Sequence, residues 1–488
     1  MNRIRSLIFL FVVAGFASCV NDSGSVPALD PFTDSGYPDS IAQIMVGKCA
    51  TSGCHNSASA AAASGLELTT WNKMVEGNRA GAVVIPFSPQ QSSLFLICNT
   101  FADLGVQLTP TMPVNAPPLS RAEVETLKNW IAKGAPDKNN IVPFSNLYNK
   151  KAYITNQGCD YVAVFSTDKK VITRYVKVGS NIANTEAPHN VRLTPDNKYW
   201  FAVLYASNVI QKFDSNTDTL VGTCTLPSFG GWSVVHFTPD SKTAIVADLQ
   251  GGAIQMINVD DMSLKGPYYN VFPNAHGLFV HPVTGKFYVT NQYSNYIYKM
   301  DLSDPAGTSE NISLAADKSI IDGNSLNPHE IAFTPDGSKY FVTCDYSNEV
   351  RVMDGNADTL IAVIPVPNKP LEIFCSKNYP YMIFGCHDYP SPFVGSKGAV
   401  TLIDYNTLQV AKIFDKGFYE PHGIAIDDDK DLVYVISRNI SASGPAPHHI
   451  SECGARNGFL SIIDLKSLTL QNFKHELSVD PYSAAYKH

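Results

Sequence analysis

Two cysteines and a histidine stand close together in the segment CATSGCH, as Cys49, Cys54 and His55. Two thiols can attach a porphyrin through thioether bonds while an adjacent imidazole binds its iron, which is how c-type haem is held. The usual pattern has two residues between the cysteines, whereas four separate them here. Taken alone, the segment allows two interpretations: a covalent haem site, or a disulfide or surface loop with an incidental histidine.

The sequence downstream of the cysteines favours the haem. It contains SGLELTTWNKMVEGNRAGAVVIPFSPQQSSLF and then TPTMPVNAPPLSRAEVETLKNWIAKGAP, and residues 40–137 as a whole resemble the planctomycete-type cytochrome c domain. Members of that family often carry the wider cysteine spacing, and a Met-Pro pair before their last helix supplies the second iron ligand. The resemblance implies a small all-α domain in which Met112 lies opposite His55. Met74 is the rival ligand, and an ordinary core role for Met112 is the alternative.

The last helix of this region has a recognisable start. Ser120 and Glu123 have the spacing of a capping box, in which each side chain accepts from a free backbone N–H at the helix start. Apolar residues then follow at helical spacing. They are Val124, Leu127, Trp130 and Ile131. We expect this face to cover the haem edge or the domain core.

The remaining chain, residues 146–488, reads as short alternating strands separated by Asp, Asn, Gly and Pro turns. A repeat appears when the segments around each such turn are aligned: PHNVRLTPD, WSVVHFTPD, AHGLFVHPV, PHEIAFTPD, PLEIFCSKN, PHGIAIDDD and PYSAAYKH. Seven copies predict an all-β, seven-bladed propeller. The last copy has only one strand, so we expect the segment near Ala152 to complete its blade. These repeats resemble the YVTN family of bacterial propeller repeats.

Histidines recur at the second position of this repeat. They are His189, His276, His329 and His422. In a meander of antiparallel strands this position lies beside the central channel, on the same face as His387, His448 and His449. Neutral imidazole is a common ligand of copper, zinc and iron, so a second metal or cofactor site is one interpretation. The others are structural rings that hydrogen-bond a neighbouring blade, and a site for an organic ligand.

Other cysteines lie in or near the loops of the propeller. Cys159 and Cys453 fall in same-face loops of blades made adjacent by the closure, where they could form a disulfide that holds the loop from Ser441 to Asn457. Cys344 and Cys386 lie at equivalent strand ends of neighbouring blades, a separation that disfavours pairing.

The first residues predict export. Residues 1–19 carry two arginines, an apolar run and a small-residue pair before Cys19, which is typical of a signal peptide and resembles a bacterial lipobox with Phe16 in place of the usual Leu. We expect lipidation of Cys19, a linker over 20–39, and a place in the cell envelope. The net charge of -8 argues against nucleic acid as a partner.

Together these features predict an extracytoplasmic c-type cytochrome lipoprotein that transfers electrons, attached to a membrane by its lipid. Its partner would be a redox protein or a small-molecule substrate, and its propeller would hold a second metal, namely copper, iron or zinc. Catalysis, if present, would make it a periplasmic oxidoreductase. The alternative is a non-enzymatic propeller that docks a partner while the haem only relays electrons.

Overall fold

The structure is a computed structural model that describes residues 32–145, 150–181, 183–302, 304, 308–447, 451 and 453–488. The predicted signal peptide with Cys19, most of the predicted linker, and His448 and His449 lie outside the described residues. Within the described ranges, no helix has the length and apolar character needed to span a membrane.

The N-terminal region contains four short helices. They are α1 (Asp39–Ile44), α2 (Trp71–Glu76), α3 (Ser93–Cys98) and α4 (Arg121–Ala132). Only α4 is longer than two turns, and turns and extended loops connect the four. The predicted all-α domain is therefore not shown, although the region has its own buried core.

Helix α4 begins as its sequence predicts. The Ser120 side chain accepts a hydrogen bond from the backbone N–H of Glu123, and the Glu123 carboxylate accepts one from the backbone N–H of Ser120. Its four apolar residues are buried. They pack in the same core as Tyr37, which the sequence places in the linker.

The strands form seven four-stranded antiparallel sheets arranged as a seven-bladed β-propeller. The first sheet contains β1 (Lys151–Asn156), β2 (Tyr161–Ser166), β3 (Val171–Lys177) and, on its inner side, β28 (Pro481–Lys487). The second contains β4 (Pro188–Leu193), β5 (Tyr199–Leu204), β6 (Val209–Asp214) and β7 (Leu220–Thr225). The third contains β8 (Trp232–Phe237), β9 (Thr243–Asp248), β10 (Ala253–Asn258) and β11 (Leu264–Tyr269).

The other four sheets repeat this order from inner to outer strand. The fourth contains β12 (Ala275–Val280), β13 (Phe287–Asn291), β14 (Tyr296–Met300) and β15 (Ser309–Ser313). The fifth contains β16 (Pro328–Phe333), β17 (Lys339–Cys344), β18 (Glu349–Asp354) and β19 (Leu360–Pro365). The sixth contains β20 (Pro370–Cys375), β21 (Tyr381–Cys386), β22 (Ala399–Asp404) and β23 (Gln409–Phe414). The seventh contains β24 (Pro421–Asp427), β25 (Leu432–Ser437), β26 (Asn457–Asp464) and β27 (Thr469–Val479).

The last strand of the chain completes the first blade. In β28, Tyr486 pairs with Ala152 and Ala484 pairs with Ile154 of β1. The structure thus has the closure that the incomplete last repeat predicts. Pairing the two ends of the propeller leaves no open inner edge in that sheet.

Each inner strand pairs irregularly with its neighbour near its start. In β16 the register shifts between Pro328 and Glu330, and comparable shifts occur in the other six blades. A bulge interrupts the alternation of side chains, so consecutive residues can turn toward the same side. The irregularity coincides with the second and third positions of the repeat, which lie at the channel mouth.

The N-terminal region packs against the outer strands of two neighbouring blades. Ile85 is buried in one cluster with Ile172 of β3 and Leu477 of β27. The Arg174 guanidinium lies 4.6 Å from the centre of the Phe87 ring, which is a cation–π contact. The region is therefore attached to the rim of the propeller.

Candidate functional site

A cavity of about 420 Å³ lies in the N-terminal region. All four residues predicted to bind haem line it, namely Cys49, Cys54, His55 and Met112. The rest of the wall is mainly apolar, with Leu66, Leu68, Val83, Leu94, Ile97 and Val114 among its residues. The volume falls in the range of about 300–1,000 Å³ that small-molecule and cofactor sites occupy.

A tight turn brings the two thiols and the imidazole to one wall. A π-helical turn over Met45–Cys49 continues α1 and ends at the first cysteine. The backbone N–H of His55 then donates to the Cys49 carbonyl over 3.1 Å. Gly53 has a φ of +80°, a backbone conformation that glycine adopts without steric cost. The four residues between the cysteines therefore form a closed loop.

The His55 ring is oriented by the backbone of a neighbouring loop. Its Nδ1 lies 3.4 Å from the carbonyl oxygen of Leu66. When Nδ1–H donates to a carbonyl, the tautomer that results has its lone pair on Nε2. In that tautomer the Nε2 lone pair of His55 is free of this contact.

The structure separates the two candidate methionines. The backbone N–H of Met112 donates to the Ile97 carbonyl over 2.9 Å, which ties its loop to α3, and the residue lines the cavity. Met74 is 1% exposed in the core and is not among the residues that line this cavity. Of the two methionines, Met112 is therefore the one that reaches the cavity.

A third thiol, which the sequence analysis did not single out, also lines the cavity. Cys98 ends α3 and is buried. Burial raises the pKa of the Cys98 thiol well above its usual range and raises the pKa of Cys49 to about 12. Both thiols are therefore protonated at neutral pH. The apolar run of α3 was the available signal, since it predicts that Cys98 lies inside.

A second group of residues meets at the mouth of the propeller channel. The structure brings the four repeated histidines and Tyr482 into a closed ring of side chains, in the order His189, His276, His329, His422, Tyr482 and back to His189. The ring centres are successively 6.2, 4.3, 6.0, 3.7 and 4.3 Å apart. The closest histidine pair is His276 with His329.

Three of these histidines contact neighbouring blades, as the structural interpretation predicts. Nδ1 of His276 lies 3.0 Å from the carbonyl oxygen of His329, and Nδ1 of His422 lies 3.1 Å from that of Tyr482. Nδ1 of His189 lies 2.7 Å from the Gln157 side chain. His329 differs, because its Nδ1 is buried without a hydrogen-bond partner among the described residues.

Burial sets the protonation state of the four histidines at the channel mouth. It lowers the pKa of His276 to about 4 and lowers the pKa values of His189, His329 and His422 well below the usual value. Neighbouring positive charge acts in the same direction at His422, where Arg438 is close. All four imidazoles are therefore neutral at neutral pH, which is the form that binds metals.

Two carboxyl groups that the sequence analysis missed lie beside this ring. Glu330 and Glu372 occupy the third position of their inner strands and are both buried. Burial raises the pKa of Glu330 to about 7 and that of Glu372 to about 8, and the Arg192 guanidinium opposes both shifts. One ligand atom from each of His276, His329 and Glu330 lies within 4.8 Å of the others.

The remaining cysteine and histidine predictions have mixed outcomes. Cys159 and Cys453 form a disulfide with 5.6 Å between their Cα atoms. Cys344 and Cys386 are buried free thiols. His387 is buried beside the channel mouth, with Nδ1 2.9 Å from the Asp388 carboxylate and Nε2 without a partner in the described structure.

No family model matches the chain, and no curated protein matches it either. Solved structures do match. A functionally unknown protein from Desulfotomaculum acetoxidans is 14% identical with a TM-score of 0.50, over 68% of this chain and 100% of that one. Hydrazine synthase of Kuenenia stuttgartiensis is 13% identical with a TM-score of 0.49, over 64% of this chain and 93% of that one. The dihydro-haem d1 dehydrogenase NirN in complex with DHE is 12% identical with a TM-score of 0.47, over 84% of this chain and 94% of that one.

Identities this low concern the fold alone. The fold and its repeats define the class: the chain is a seven-bladed β-propeller protein with an N-terminal helical region on its rim.

Proposed function

We propose that this protein is an extracytoplasmic c-type cytochrome that transfers electrons through a covalent haem in the N-terminal cavity. The observation that carries the proposal is that Cys49, Cys54, His55 and Met112 line one cavity, although 56 residues lie between His55 and Met112 in the sequence. Haem c, when bound, supplies one-electron redox chemistry at its iron.

The residues present fit such a group. Cys49 and Cys54 offer the two thiols for thioether bonds, and His55 offers an imidazole that the Leu66 carbonyl holds in one tautomer. Met112 offers a thioether, a soft ligand that favours a raised potential. The apolar wall limits the access of water, and with haem bound it would favour the less charged state of the iron.

A place outside the cytoplasm agrees with the disulfide. The bond between Cys159 and Cys453 is of the kind that persists in oxidising compartments. We therefore keep the cell envelope as the proposed location, with residues 1–19 as signal peptide and lipidation of Cys19 as the membrane anchor. A redox protein or a small-molecule substrate would exchange electrons with the haem.

The test is a haem assay on the full chain, produced in a bacterium that carries a c-type maturation system. We expect the protein to keep a haem stain after denaturation and to gain the mass of one haem. The variant Cys49→Ser, Cys54→Ser should lose both signals. Cys375→Ser, at a half-buried free thiol of the propeller, is the matched control and should retain them. A wild-type protein with no covalently bound haem would overturn the proposal.

A second candidate function has an observation of its own. The Nδ1 atoms of His276 and His422 contact backbone carbonyls of neighbouring blades, a contact that supports a structural role for these rings. They favour a scaffold that docks a partner protein, with the haem as electron relay only. Unchanged partner binding after removal of all non-haem metal would support this candidate.

A further inference from the structure

We propose that the channel mouth binds a divalent first-row transition metal through His276, His329 and Glu330. These residues come from the inner strands of two neighbouring blades. The site goes beyond the proposed haem function and does not depend on it, because the cavity of the N-terminal region shares no residue with it.

The three side chains are close enough to converge on one ion. Their ligand atoms lie within 4.8 Å of one another. Two ligands about 2.1 Å from a tetrahedral zinc ion stand about 3.4 Å apart. Movements of about an ångström within the side-chain torsions therefore bring the set to bonding distance.

Hydrogen bonding orients one of the two imidazoles, and the other has a buried nitrogen that lacks a partner. The contact of His276 Nδ1 with the His329 carbonyl is the arrangement in which a metal-binding histidine donates its second N–H to the backbone. His329 is 3% exposed, and its Nδ1 has no hydrogen-bond partner in the described structure. Leaving a buried polar atom unpaired destabilises the folded chain, a cost that a bound ion and its ligand shell would remove.

The backbone explains how Glu330 joins two histidines. In a regular strand, His329 and Glu330 would point to opposite faces. The register shift between Pro328 and Glu330 breaks this alternation, so both side chains reach the same cluster. Gly277 supplies the space, since a Cβ at that position would lie 2.6 Å from a Glu330 carboxylate oxygen.

The local charges allow a cation. Glu330 has a second carboxyl group close by, Glu372, whose Oε1 lies 3.8 Å from His422 Nδ1 and whose Oε2 is buried without a partner in the described structure. Of the positive groups nearby, Arg438 is paired with Asp480 at 2.7 Å. Arg192 contacts the face of Phe374 and is balanced by the two carboxyl groups, Glu330 and Glu372, on which its charge acts.

Two imidazoles and one carboxylate are a donor set that zinc and iron(II) both accept, and copper(II) also binds imidazole. Three protein ligands leave at least one coordination position for water or a small ligand. This is the feature that distinguishes a reactive metal site from a closed structural one.

The experiment begins with the purified full chain, from which a chelator has removed bound metal. Zinc is then titrated into the protein, and calorimetry measures the binding. We expect one zinc ion per chain. Glu330→Gln and His329→Gln should each weaken binding by about tenfold or more. His236→Gln is the matched control, because His236 is a half-buried histidine of another inner strand and lies outside the set.

Thermal unfolding of each apo variant shows whether it has folded, and a folded Glu330→Gln protein that binds zinc like the wild type would overturn the proposal. So would an absence of stoichiometric binding by the wild type. Zinc that is lost in Cys49→Ser, Cys54→Ser but kept in Glu330→Gln would assign the ion to the thiols instead. The haem spectrum should stay unchanged in the channel variants, so the two proposals fail separately.

Discussion

Met112 is the residue on which the electronic properties of the proposed haem most depend. Substitution Met112→His would replace a thioether by a stronger electron-donating imidazole. We expect covalent haem to remain and the reduction potential to fall by on the order of 0.1–0.3 V, within the ~0.8 V range that axial ligands span. Potentiometric titration with absorption spectroscopy measures this change.

The rival methionine provides the control for that measurement. Met74→Leu replaces a buried thioether by an aliphatic side chain of similar size. The reduction potential of the haem should stay the same, while the free energy of unfolding should fall slightly. If Met74→Leu shifted the potential and Met112→His did not, Met74 would be the ligand.

Residues at the channel mouth show what sequence can and cannot predict at this scale. The repeat places His276 and His329 at the same position of successive copies, and the structure brings both into one ring. Glu330 escaped notice because simple alternation turns it away from the channel. A local register shift reverses this, and nothing in the residue types announces such a shift.

At the scale of elements, the contact between the N-terminal region and outer strand β27 depends on a buried histidine. The centres of the His475 and Phe165 rings are 5.0 Å apart. His475 also lines a small cavity together with Gly81 and Ile85 of the N-terminal region. Burial lowers the pKa of His475 to about 4, and Lys170 acts in the same direction. The ring is therefore neutral in the folded protein over most of the acidic range.

This pKa predicts a loss of stability in acid. Between about pH 6.5 and pH 4 the unfolded chain binds a proton at His475 and the folded chain does not, so stability falls as the pH is lowered through that range. The loss from this group is about 1.4 kcal/mol per pH unit at most. Denaturant unfolding of wild type and His475→Gln at several pH values measures the difference.

As the pH falls from 6.5 to 4, the free energy of unfolding should decrease less in His475→Gln than in the wild type. His488→Gln, at an exposed histidine whose pKa burial lowers to a smaller extent, serves as the control and should depart from the wild-type curve less than His475→Gln does. Parallel curves for wild type and His475→Gln would contradict the prediction.

Elements with a repeated pattern or a start signal were predictable. The strands follow from their alternation, and α4 follows from Ser120 and Glu123. The loops of the N-terminal region were harder to predict. Single backbone contacts hold them, such as that of the Met112 N–H with the Ile97 carbonyl, and such contacts leave no periodic pattern in the sequence.

At the scale of the whole molecule, the disulfide joins blades that are far apart in sequence. Cys159 and Cys453 are separated by 294 residues and connect the first blade to the seventh, next to the closure. A cross-link over so long a loop restricts the unfolded chain strongly. We expect Cys159→Ser, Cys453→Ser to lose about 2–5 kcal/mol of stability.

Reductant offers an independent measurement of the same effect. Thermal unfolding of the wild type in reductant should approach that of the double variant, whose own transition should not respond to reductant. Cys375→Ser keeps the disulfide and should behave like the wild type. A wild type indifferent to full reduction would contradict the prediction.

The number of blades could be predicted because seven copies of one repeat occur at intervals of 42 to 60 residues. The position of the N-terminal region on the propeller could not be predicted from the sequence. Its contact uses Ile85 and Phe87 on one side and the outer strands β3 and β27 on the other, and neither side has a repeated pattern that identifies its partner.

The pairing of β28 with β1 also fixes when the propeller can form. A ribosome makes β1 early and β28 last, so the inner edge of β1 stays unpaired throughout translation of the intervening residues. A product cut short by premature termination before Pro481 would keep that edge exposed, as a site for pairing with other chains. Loss of β28 is therefore as damaging to this fold as the loss of an inner strand from any other blade.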